Sequence, residues 1–285
     1  MHDDPATTGD ALLGAAEIRR LAAQLDLTPT KRWGQNFVHD ANTVRRIVRT
    51  ADVAGIDVLE VGPGLGSLTL GLTEAGCRVT AVEIDERLAR LLPETVERKQ
   101  PGARLEVVHH DALTVTELPH APQAIVANLP YNVSVPVLIH LLETFPTVER
   151  ALVMVQAEVG IRLAAAPGSK AYGAPSAKVA WWGPWALEGE VSRQIFWPVP
   201  GVDSVLVGFR RGASLGDEAL RHSTFQVVDA AFGQRRKMLR QALAGVVGSP
   251  AAASALLERA GVEPTLRGEA LALPDFIRIA EAWEG

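Results

Sequence analysis

The sequence predicts an α/β protein in which a doubly wound, mostly parallel sheet of seven strands carries helices on both faces. A small α-helical domain is expected to follow it. Strand-like and helix-like patterns alternate from residue 56 to about residue 210, as they do in βαβ units. A glycine-rich turn joins the first strand of this series to its helix. Beyond residue 211 only helical patterns remain, and these predict the second domain.

Each element has its own signal. Apolar residues at helical spacing predict a helix at 11–27, which Pro29 brings to an end. Five strands are expected at 56–61, 78–83, 105–109, 124–127 and 151–156, with helices at 67–75, 87–98, 135–144 and 157–165. Two more strands, at 181–191 and 205–210, complete the sheet, and the C-terminal helices are expected at 218–232, 235–244, 251–260 and 274–283.

The expected domain boundary is residues 212–216, whose small and polar side chains resemble a linker. It separates a main domain at 11–211 from a small helical domain at 212–285. Residues 1–10 are expected to be disordered.

Composition predicts a protein of the cytoplasm. Of 285 residues, 47% are hydrophobic and 21% charged, and no apolar run reaches the length of a membrane span. The acidic N-terminus lacks the basic and apolar regions of a secretory signal. The single cysteine, Cys77, cannot form an internal disulfide, in agreement with a reducing compartment.

Basic residues are concentrated in two regions although the formal net charge is −5. Residues 192–240 hold eight basic and four acidic side chains, a local balance of 8 − 4 = +4. The second region comprises Lys31, Arg32, Arg45, Arg46 and Arg49. Local patches on an acidic protein favour a focused contact with phosphates. A solvated charged face is the alternative for either region.

The glycine-rich turn, Gly62-Pro63-Gly64-Leu65-Gly66, follows a predicted strand and precedes a predicted helix. In that context backbone N–H groups and a helix N-terminus face a ligand. The pattern is G-x-G-x-G, whereas a dinucleotide fingerprint needs G-x-G-x-x-G. The spacing therefore favours a nucleoside ligand without a pyrophosphate.

Acidic residues stand at the ends of three successive predicted strands. Glu60 precedes the glycine turn and is suited to the amino-acid part of a ligand, and Glu83 is placed to accept hydrogen bonds from ribose hydroxyls. Asp111 follows the third strand and is suited to an adenine amino group. Each carboxylate alone also fits a helix cap or a surface residue, but together they predict a pocket at one sheet edge.

The tetrapeptide Asn128-Leu129-Pro130-Tyr131 follows the fourth predicted strand. The Asn128 side chain and the Leu129 backbone each offer a carbonyl oxygen to the N–H bonds of an adenine amine, which would localise its lone pair. Pro130 favours an extended conformation at Leu129, and Tyr131 offers a ring for stacking. A simple strand-terminating turn is the alternative.

These motifs resemble the S-adenosylmethionine-dependent methyltransferases of the Rossmann-like class I fold. More closely, the chain resembles the small-subunit (16S) ribosomal RNA adenine dimethyltransferase family of the KsgA/RsmA type, from about residue 31 to the C-terminal helices. The segments that carry this resemblance are 34–37, 60–66, 82–85, 110–112, 128–134, 196–204 and 232–237.

The resemblance implies transfer of methyl groups from S-adenosylmethionine to N6 of two adjacent adenosines in a hairpin loop near the 3′ end of small-subunit RNA, during subunit assembly. It implies a cofactor site and no metal. The expected cofactor-binding residues are Asn36, Val38, Gly62, Gly64, Glu83, Asp111 and Asn128.

Asn128 and Leu129 are the expected amine-binding residues, with Tyr131 and Phe196 on either side of the extruded base. Phe196 precedes two prolines, which favours an exposed rigid loop; a place in the core is its alternative. The expected RNA-binding residues are Lys31, Arg32, Arg235, Arg236, Lys237 and Arg240. A monomer is expected.

Three features depart from the family pattern: Gly201 in place of lysine, Met238 and Gln241 after the basic run, and Ala174-Pro175 in a loop. They are expected to tune RNA contact without changing the reaction. Two other functions remain open: a 23S ribosomal RNA adenine methyltransferase of the macrolide-resistance type, and a non-catalytic ribosome assembly factor.

Overall fold

The computed structural model describes residues 11–27, 36–130 and 133–284. They form two compact units. One comprises the described residues up to Ala157 with Glu188–Gly208, and the other comprises Glu158–Leu187 and the residues from Phe209 onwards. Residues 158–187 thus group with the helical part. The division into domains at 11–211 and 212–285 stays a prediction, and residues 1–10 lie outside the described chain.

A seven-stranded sheet forms the framework of the first unit and confirms the predicted fold class. In chain order the strands of the protein are β1 (Phe37–Val38), β2 (Asp57–Val61), β3 (Arg78–Glu83), β4 (Leu105–His109), β5 (Ala124–Asn128), β6 (Arg150–Gln156), β7 (Trp185–Val191), β8 (Phe196–Trp197) and β9 (Ser204–Arg210). The sheet order is β4-β3-β2-β5-β6-β9-β7. The four pairs from β4 to β6 are parallel.

The strand order reverses between β2 and β5, which lie side by side although β3 and β4 come between them in the chain. Such a reversal leaves a crevice at the carboxyl ends of the two strands, because their connections leave in opposite directions. A ligand site is therefore expected at this edge.

Helices complete the fold. They are α1 (Ala15–Gln24), α2 (Ala41–Ala51), α3 (Ser67–Glu74), α4 (Glu86–Lys99), α5 (Ser134–Thr144), α6 (Ala157–Leu163), α7 (Ala174–Val179), α8 (Glu218–Gly233), α9 (Leu239–Ala242), α10 (Ala244–Val247), α11 (Pro250–Arg259) and α12 (Leu273–Glu284). Within the described residues, none of these helices combines the length and apolar character that a bilayer crossing requires.

Local sequence explains several of these boundaries. Asp40 begins α2 by accepting a hydrogen bond from the Thr43 N–H at 2.6 Å, and Asp85 begins α4 in the same way with the Arg87 N–H at 2.9 Å. A side-chain oxygen at this position satisfies an N–H group that the first turn of a helix leaves without a partner. Within the sheet, all of β5 except Asn128 is buried, and so is all of β2 except Asp57.

The predicted helix at 235–244 is wrong at its start. The Leu239 N–H donates to the Leu266 carbonyl at 2.7 Å, and the Arg240 N–H donates to the Pro264 carbonyl at 3.2 Å. Because a neighbouring loop takes these N–H groups, no helix extends back from Leu239. The basic run at 235–237 consequently lies in the turn between α8 and α9.

A second difference is a small antiparallel ribbon of β1 and β8, which had no signal in the sequence. Phe37 pairs with Trp197, and Val38 pairs with Phe196. The His39 N–H extends the pairing by donating to the Ile195 carbonyl at 2.9 Å. The ribbon brings residues near 37 and 197 together within the first unit.

Candidate active site

Polar side chains from four neighbouring strands meet at the carboxyl edge of the sheet. Glu60 lies in β2, Glu83 ends β3, Asp111 follows β4 and Asn128 ends β5. Since these strands are parallel and adjacent, their carboxyl ends lie at one edge. The structure therefore brings together the three carboxylates and the asparagine that the sequence predicted for one pocket.

The glycine turn approaches β1 closely enough to crowd any side chain at Gly64. Gly64 has a φ of +58°, and a β-carbon built on it would lie 3.0 Å from a ring carbon of Phe37. Both the left-handed backbone and the close approach therefore favour glycine at this position. As a result, the Phe37 ring lies directly against the turn.

Glu83 ties this turn to the end of β3. Its carboxylate accepts hydrogen bonds from the Gly64 N–H at 3.2 Å and from the Asp85 N–H at 3.0 Å. Burial raises the pKa of Glu83, and these two backbone hydrogen bonds oppose the rise. A carboxylate fixed in this way keeps further lone pairs with which to accept hydroxyl groups of a ligand.

Glu60 is the most deeply buried carboxyl group at the site, 1% exposed. The Thr69 hydroxyl donates to its Oε2 atom at 2.7 Å. Burial raises the pKa of Glu60 to about 8; the Thr69 hydrogen bond opposes this rise and the Glu83 carboxyl adds to it. At neutral pH this group is therefore mostly protonated.

Asn128 has a defined orientation. Its Nδ2 atom donates to the Asn36 carbonyl oxygen at 3.2 Å. Because a carbonyl oxygen only accepts hydrogen bonds, the amino end of the Asn128 amide must face Asn36, and its Oδ1 atom is turned away. The side-chain carbonyl is thus kept available as an acceptor.

The backbone at Leu129 is fixed by the buried Leu129 side chain and by a hydrogen bond from the Leu129 N–H. Its side chain is buried and its N–H donates to the Met154 carbonyl at 3.0 Å, so only main-chain atoms are available for chemistry. Asn128 and Pro130 line the cavity, whereas Leu129 is not among its lining residues. Tyr131 lies outside the described residues.

Phe196 is not on an exposed loop, and that expectation is wrong. Its side chain is 1% exposed and belongs to the main apolar core. The reason is the pairing of β8 with β1: adjacent residues of a strand point to opposite faces, and here Phe196 faces inward. Its stacking on a base stays a prediction.

One cavity of about 620 Å³ occupies this edge of the sheet. Its volume lies within the range of about 300–1,000 Å³ that is usual for ligand sites. All seven residues predicted to bind the cofactor line it: Asn36, Val38, Gly62, Gly64, Glu83, Asp111 and Asn128. Their contacts with the cofactor remain a prediction.

Two further residues of the site were missed from the sequence. Phe37 lines the cavity. The Ser67 hydroxyl, at the first residue of α3, donates to the Val38 carbonyl at 2.5 Å and fixes β1 beside the glycine turn. Phe37 lies in a segment that resembled the family, but no single residue pattern indicated that its ring would contact Gly64.

The predicted RNA-binding residues of the second unit differ in their surroundings. The Arg235 guanidinium donates to the Glu269 carboxylate at 3.0 Å and to the Lys170 carbonyl at 2.9 Å. Arg236 and Lys237 are exposed, and Arg240 is half-buried. Arg235 therefore supports the local structure as well as supplying a positive charge.

The N-terminal basic region is only partly described, since Lys31 and Arg32 lie outside the described residues. In α2, Arg45 forms a two-pronged ion pair with Glu74, with both N···O distances at 2.9 Å. Arg46 donates to the Glu190 carbonyl at 3.0 Å. These two arginines therefore already have partners within the protein.

Known proteins resemble the chain along most of its length. A protein of Leifsonia xyli subsp. xyli named ribosomal RNA small subunit methyltransferase A is 67% identical over 273 residues, which are 94% of this chain and 98% of that protein. Its namesake in Streptomyces coelicolor is 61% identical over 279 residues, 96% of this chain and 98% of that protein.

Solved structures agree with the fold. The 23S rRNA methyltransferase ErmE is 28% identical with a TM-score of 0.64, covering 88% of this chain and all (100%) of its own. A dimethyladenosine transferase from Plasmodium falciparum has a TM-score of 0.72 at 22% identity, over 85% of this chain and 95% of its own, and shows the fold alone.

The model of the ribosomal RNA adenine dimethylase family matches residues 27–283. With that match and these relatives, the chain belongs to the family of ribosomal RNA adenine dimethylases.

Proposed function

We propose that the protein transfers methyl groups from S-adenosylmethionine to N6 of two adjacent adenosines in a hairpin loop near the 3′ end of small-subunit (16S) ribosomal RNA. The modification would take place in the cytoplasm while the small subunit is assembled, and the protein would act as a monomer. The observation that carries the proposal is the Asn128 amide, which the Asn36 carbonyl holds with its Oδ1 atom free to accept. The names of relatives at 61–67% identity support the choice of RNA.

The cavity suits this cofactor. The Glu83 carboxylate would accept the ribose hydroxyls, and Asp111 would accept from the adenine amine. Acidic side chains that include Glu83, Asp85 and Asp111 line the cavity, and their negative charge is suited to a ligand that carries positive charge. The glycine turn leaves room for its backbone to approach the ligand closely.

The Asn128 Oδ1 atom and the Leu129 carbonyl oxygen each accept one N–H of the substrate amine. The amine lone pair is then no longer delocalised into the ring and points out of the N–H plane. S-adenosylmethionine supplies an electrophilic methyl group on a sulfonium. The amine proton leaves to water after transfer, so no side chain of the site is needed as a general base. For the second transfer a single N–H remains to be held.

RNA would be bound through phosphate contacts of Arg236, Lys237 and Arg240, with Lys31 and Arg32. Arg235 would take part while it holds the turn to Glu269. Tyr131 would stack on the target base, at about 1–3 kcal/mol for each base. Phe196, which is 1% exposed, would do so only after its side chain leaves the core. Extruding that base costs a few kcal/mol, and less in a loop than in a duplex.

The test supplies S-adenosylmethionine with a labelled methyl group to small subunits that lack the modification and, separately, to large-subunit RNA. We expect dimethyladenosine in digests of the small-subunit RNA alone. Label only in large-subunit RNA would instead assign the activity of the macrolide-resistance type. No label in either, with subunit assembly still dependent on the protein, would indicate a non-catalytic assembly factor.

A further inference from the structure

We propose that Trp197 is a positioning residue for the cofactor. Its ring holds the Phe37 ring against Gly64 and thereby keeps the cavity in the shape that binds S-adenosylmethionine. This inference rests on the proposed placement of the cofactor in that cavity. It assigns a role to a side chain that does not itself line the cavity.

The two rings form a stacked pair. Their centroids are 6.4 Å apart and their planes differ by 23°. Phe37 and Trp197 are also direct partners in the β1–β8 ribbon, so the backbone pairing places the two side chains on the same face. The contact is therefore built into the register of the ribbon.

The Phe37 ring also lies against the glycine turn. Two ring atoms of Phe37 lie 3.0 and 3.1 Å from the position that a β-carbon on Gly64 would take. Phe37 is only 6% exposed, yet it lines the cavity. The ring thus has the turn on one side and Trp197 on another, at a residue that lines the cavity.

The backbone of β1 is held independently of Trp197. The Ser67 hydroxyl donates to the Val38 carbonyl at 2.5 Å, and the Asn128 amide donates to the Asn36 carbonyl at 3.2 Å. Removing the Trp197 ring therefore leaves these two anchors in place and frees the Phe37 side chain alone. Trp197 is half-buried and packs against the edge of the core, whereas its neighbour Phe196 lies fully within it, so the loss of the Trp197 ring leaves that core side chain in place.

A purely structural role makes a different prediction. If Trp197 only covered apolar surface, its removal would lower the melting temperature and leave cofactor affinity unchanged. If it acts through Phe37, affinity for the cofactor falls, and it falls only while the Phe37 ring is present. The two roles are therefore separable by a binding measurement in the absence of RNA.

The experiment measures S-adenosylmethionine binding to the full chain by titration calorimetry. Trp197→Ala is expected to weaken binding roughly three- to tenfold, the scale of one stacked aromatic pair. Trp197→Phe, which keeps a ring, should stay within about twofold of the wild type. Val199→Ala is the matched control, since Val199 lies two residues after Trp197 and is 54% exposed.

The Trp197→Ala substitution in a protein without the Phe37 ring tests whether Trp197 acts through Phe37. In a Phe37→Leu protein, which should itself bind more weakly, Trp197→Ala is expected to cause little further loss, because coupled residues are not additive. In steady-state assays Trp197→Ala should raise KM for S-adenosylmethionine and leave kcat within about twofold.

Wild-type affinity in Trp197→Ala, or an equal loss with and without the Phe37 ring, would overturn the inference. Should Trp197→Ala fail to fold, Trp197→Leu provides the same comparison. A wild-type chain that does not bind S-adenosylmethionine at all would instead refute the proposed function.

Discussion

The Nδ2 atom of Asn128 donates to the backbone carbonyl of Asn36 at 3.2 Å, across 92 positions of sequence. This single hydrogen bond selects one of the two possible orientations of the amide. It also ties the end of β5 to the start of β1, which borders the glycine turn. One contact thereby fixes both Asn128 Oδ1, the proposed acceptor for the substrate amine, and the β1 side of the cavity.

Asn128→Asp tests this orientation, since aspartate has the same shape but no N–H to donate. Its carboxylate would face the Asn36 carbonyl as a second acceptor, and the side chain would turn from its position. We expect kcat to fall by about 100-fold or more, the scale on which losing one oriented polar group slows an enzyme. Single-turnover methyl transfer to small subunits measures the effect.

The matched control for that substitution is Asn42→Asp, which makes the same chemical change on the exposed surface of α2. It should leave kcat unchanged within about twofold. Normal methyl transfer by Asn128→Asp would contradict the role assigned to the amide orientation.

Glu60 makes the stability of the protein depend on pH. The pKa of Glu60 is raised to about 8 from its usual 4.5, so the folded state holds this proton more tightly than the unfolded state does. The stabilisation is fully present below pH 4.5 and is lost as pH rises through about 8. Across this window, the free energy of unfolding of the wild-type chain should therefore fall by on the order of 3–5 kcal/mol relative to that of Glu60→Gln.

Urea unfolding without cofactor, at intervals between pH 5 and 8.5, measures that difference. Glu106→Gln is the control, because it makes the same chemical change at an exposed position of β4. Parallel curves for the wild type and Glu60→Gln at every pH would show that the Glu60 carboxyl keeps its usual pKa.

Gly64→Ala and Gly62→Ala separate backbone strain from crowding. Both glycines have positive φ, +58° and +64°, so each substitution carries about 1 kcal/mol of backbone cost. At Gly64 the new β-carbon meets the Phe37 ring at 3.0 Å, whereas at Gly62 it meets no atom within 4 Å among the described residues beyond its chain neighbours. Thermal unfolding should therefore show that the free energy of unfolding falls by a further amount of about 1–3 kcal/mol for Gly64→Ala alone.

Phe37→Leu should restore part of that further loss in the Gly64→Ala background, because the smaller side chain makes room for the added carbon. Equal melting temperatures for the two single alanine variants would mean that the Phe37 ring moves away at no cost, and that it does not constrain the turn.

Much of the site could be predicted from the sequence because its parts follow directly from local patterns. A buried strand that runs into G-x-G-x-G, and acids at successive strand ends, define a sheet edge without knowledge of distant contacts. Glu60, Glu83 and Asn128 accordingly lie where alternating strands and helices place them.

The rest depends on contacts between distant residues. Strands of two residues, such as β1 and β8, are too short to show a period, so nothing local indicated that Phe196 would face the core. The same holds for Arg235, whose contact with Glu269 spans 34 positions and required the fold of the second unit. The turn at 235–238 was predicted as a helix because the competing hydrogen bonds come from a loop some 25 residues further along the chain.

The surroundings of the basic run predict unequal roles for its members in RNA binding. Arg236 and Lys237 are exposed, whereas Arg235 is held by Glu269 and the Lys170 carbonyl. Each phosphate contact contributes about 0.7–0.9 to the slope of log affinity against log salt. The double substitution Arg236→Gln and Lys237→Gln should therefore flatten this slope by about 1.4–1.8 and leave the melting temperature near that of the wild type.

Arg235→Gln should do the reverse, lowering the melting temperature by removing the contacts with Glu269 and Lys170 and changing the salt slope by less than 1. Arg98→Gln, on the exposed surface of α4, controls for the loss of one positive charge elsewhere. Filter binding of small-subunit RNA over a series of salt concentrations measures all of these slopes. If the double variant kept the wild-type slope, Arg236 and Lys237 would not contact phosphates, and RNA binding would depend on other basic residues.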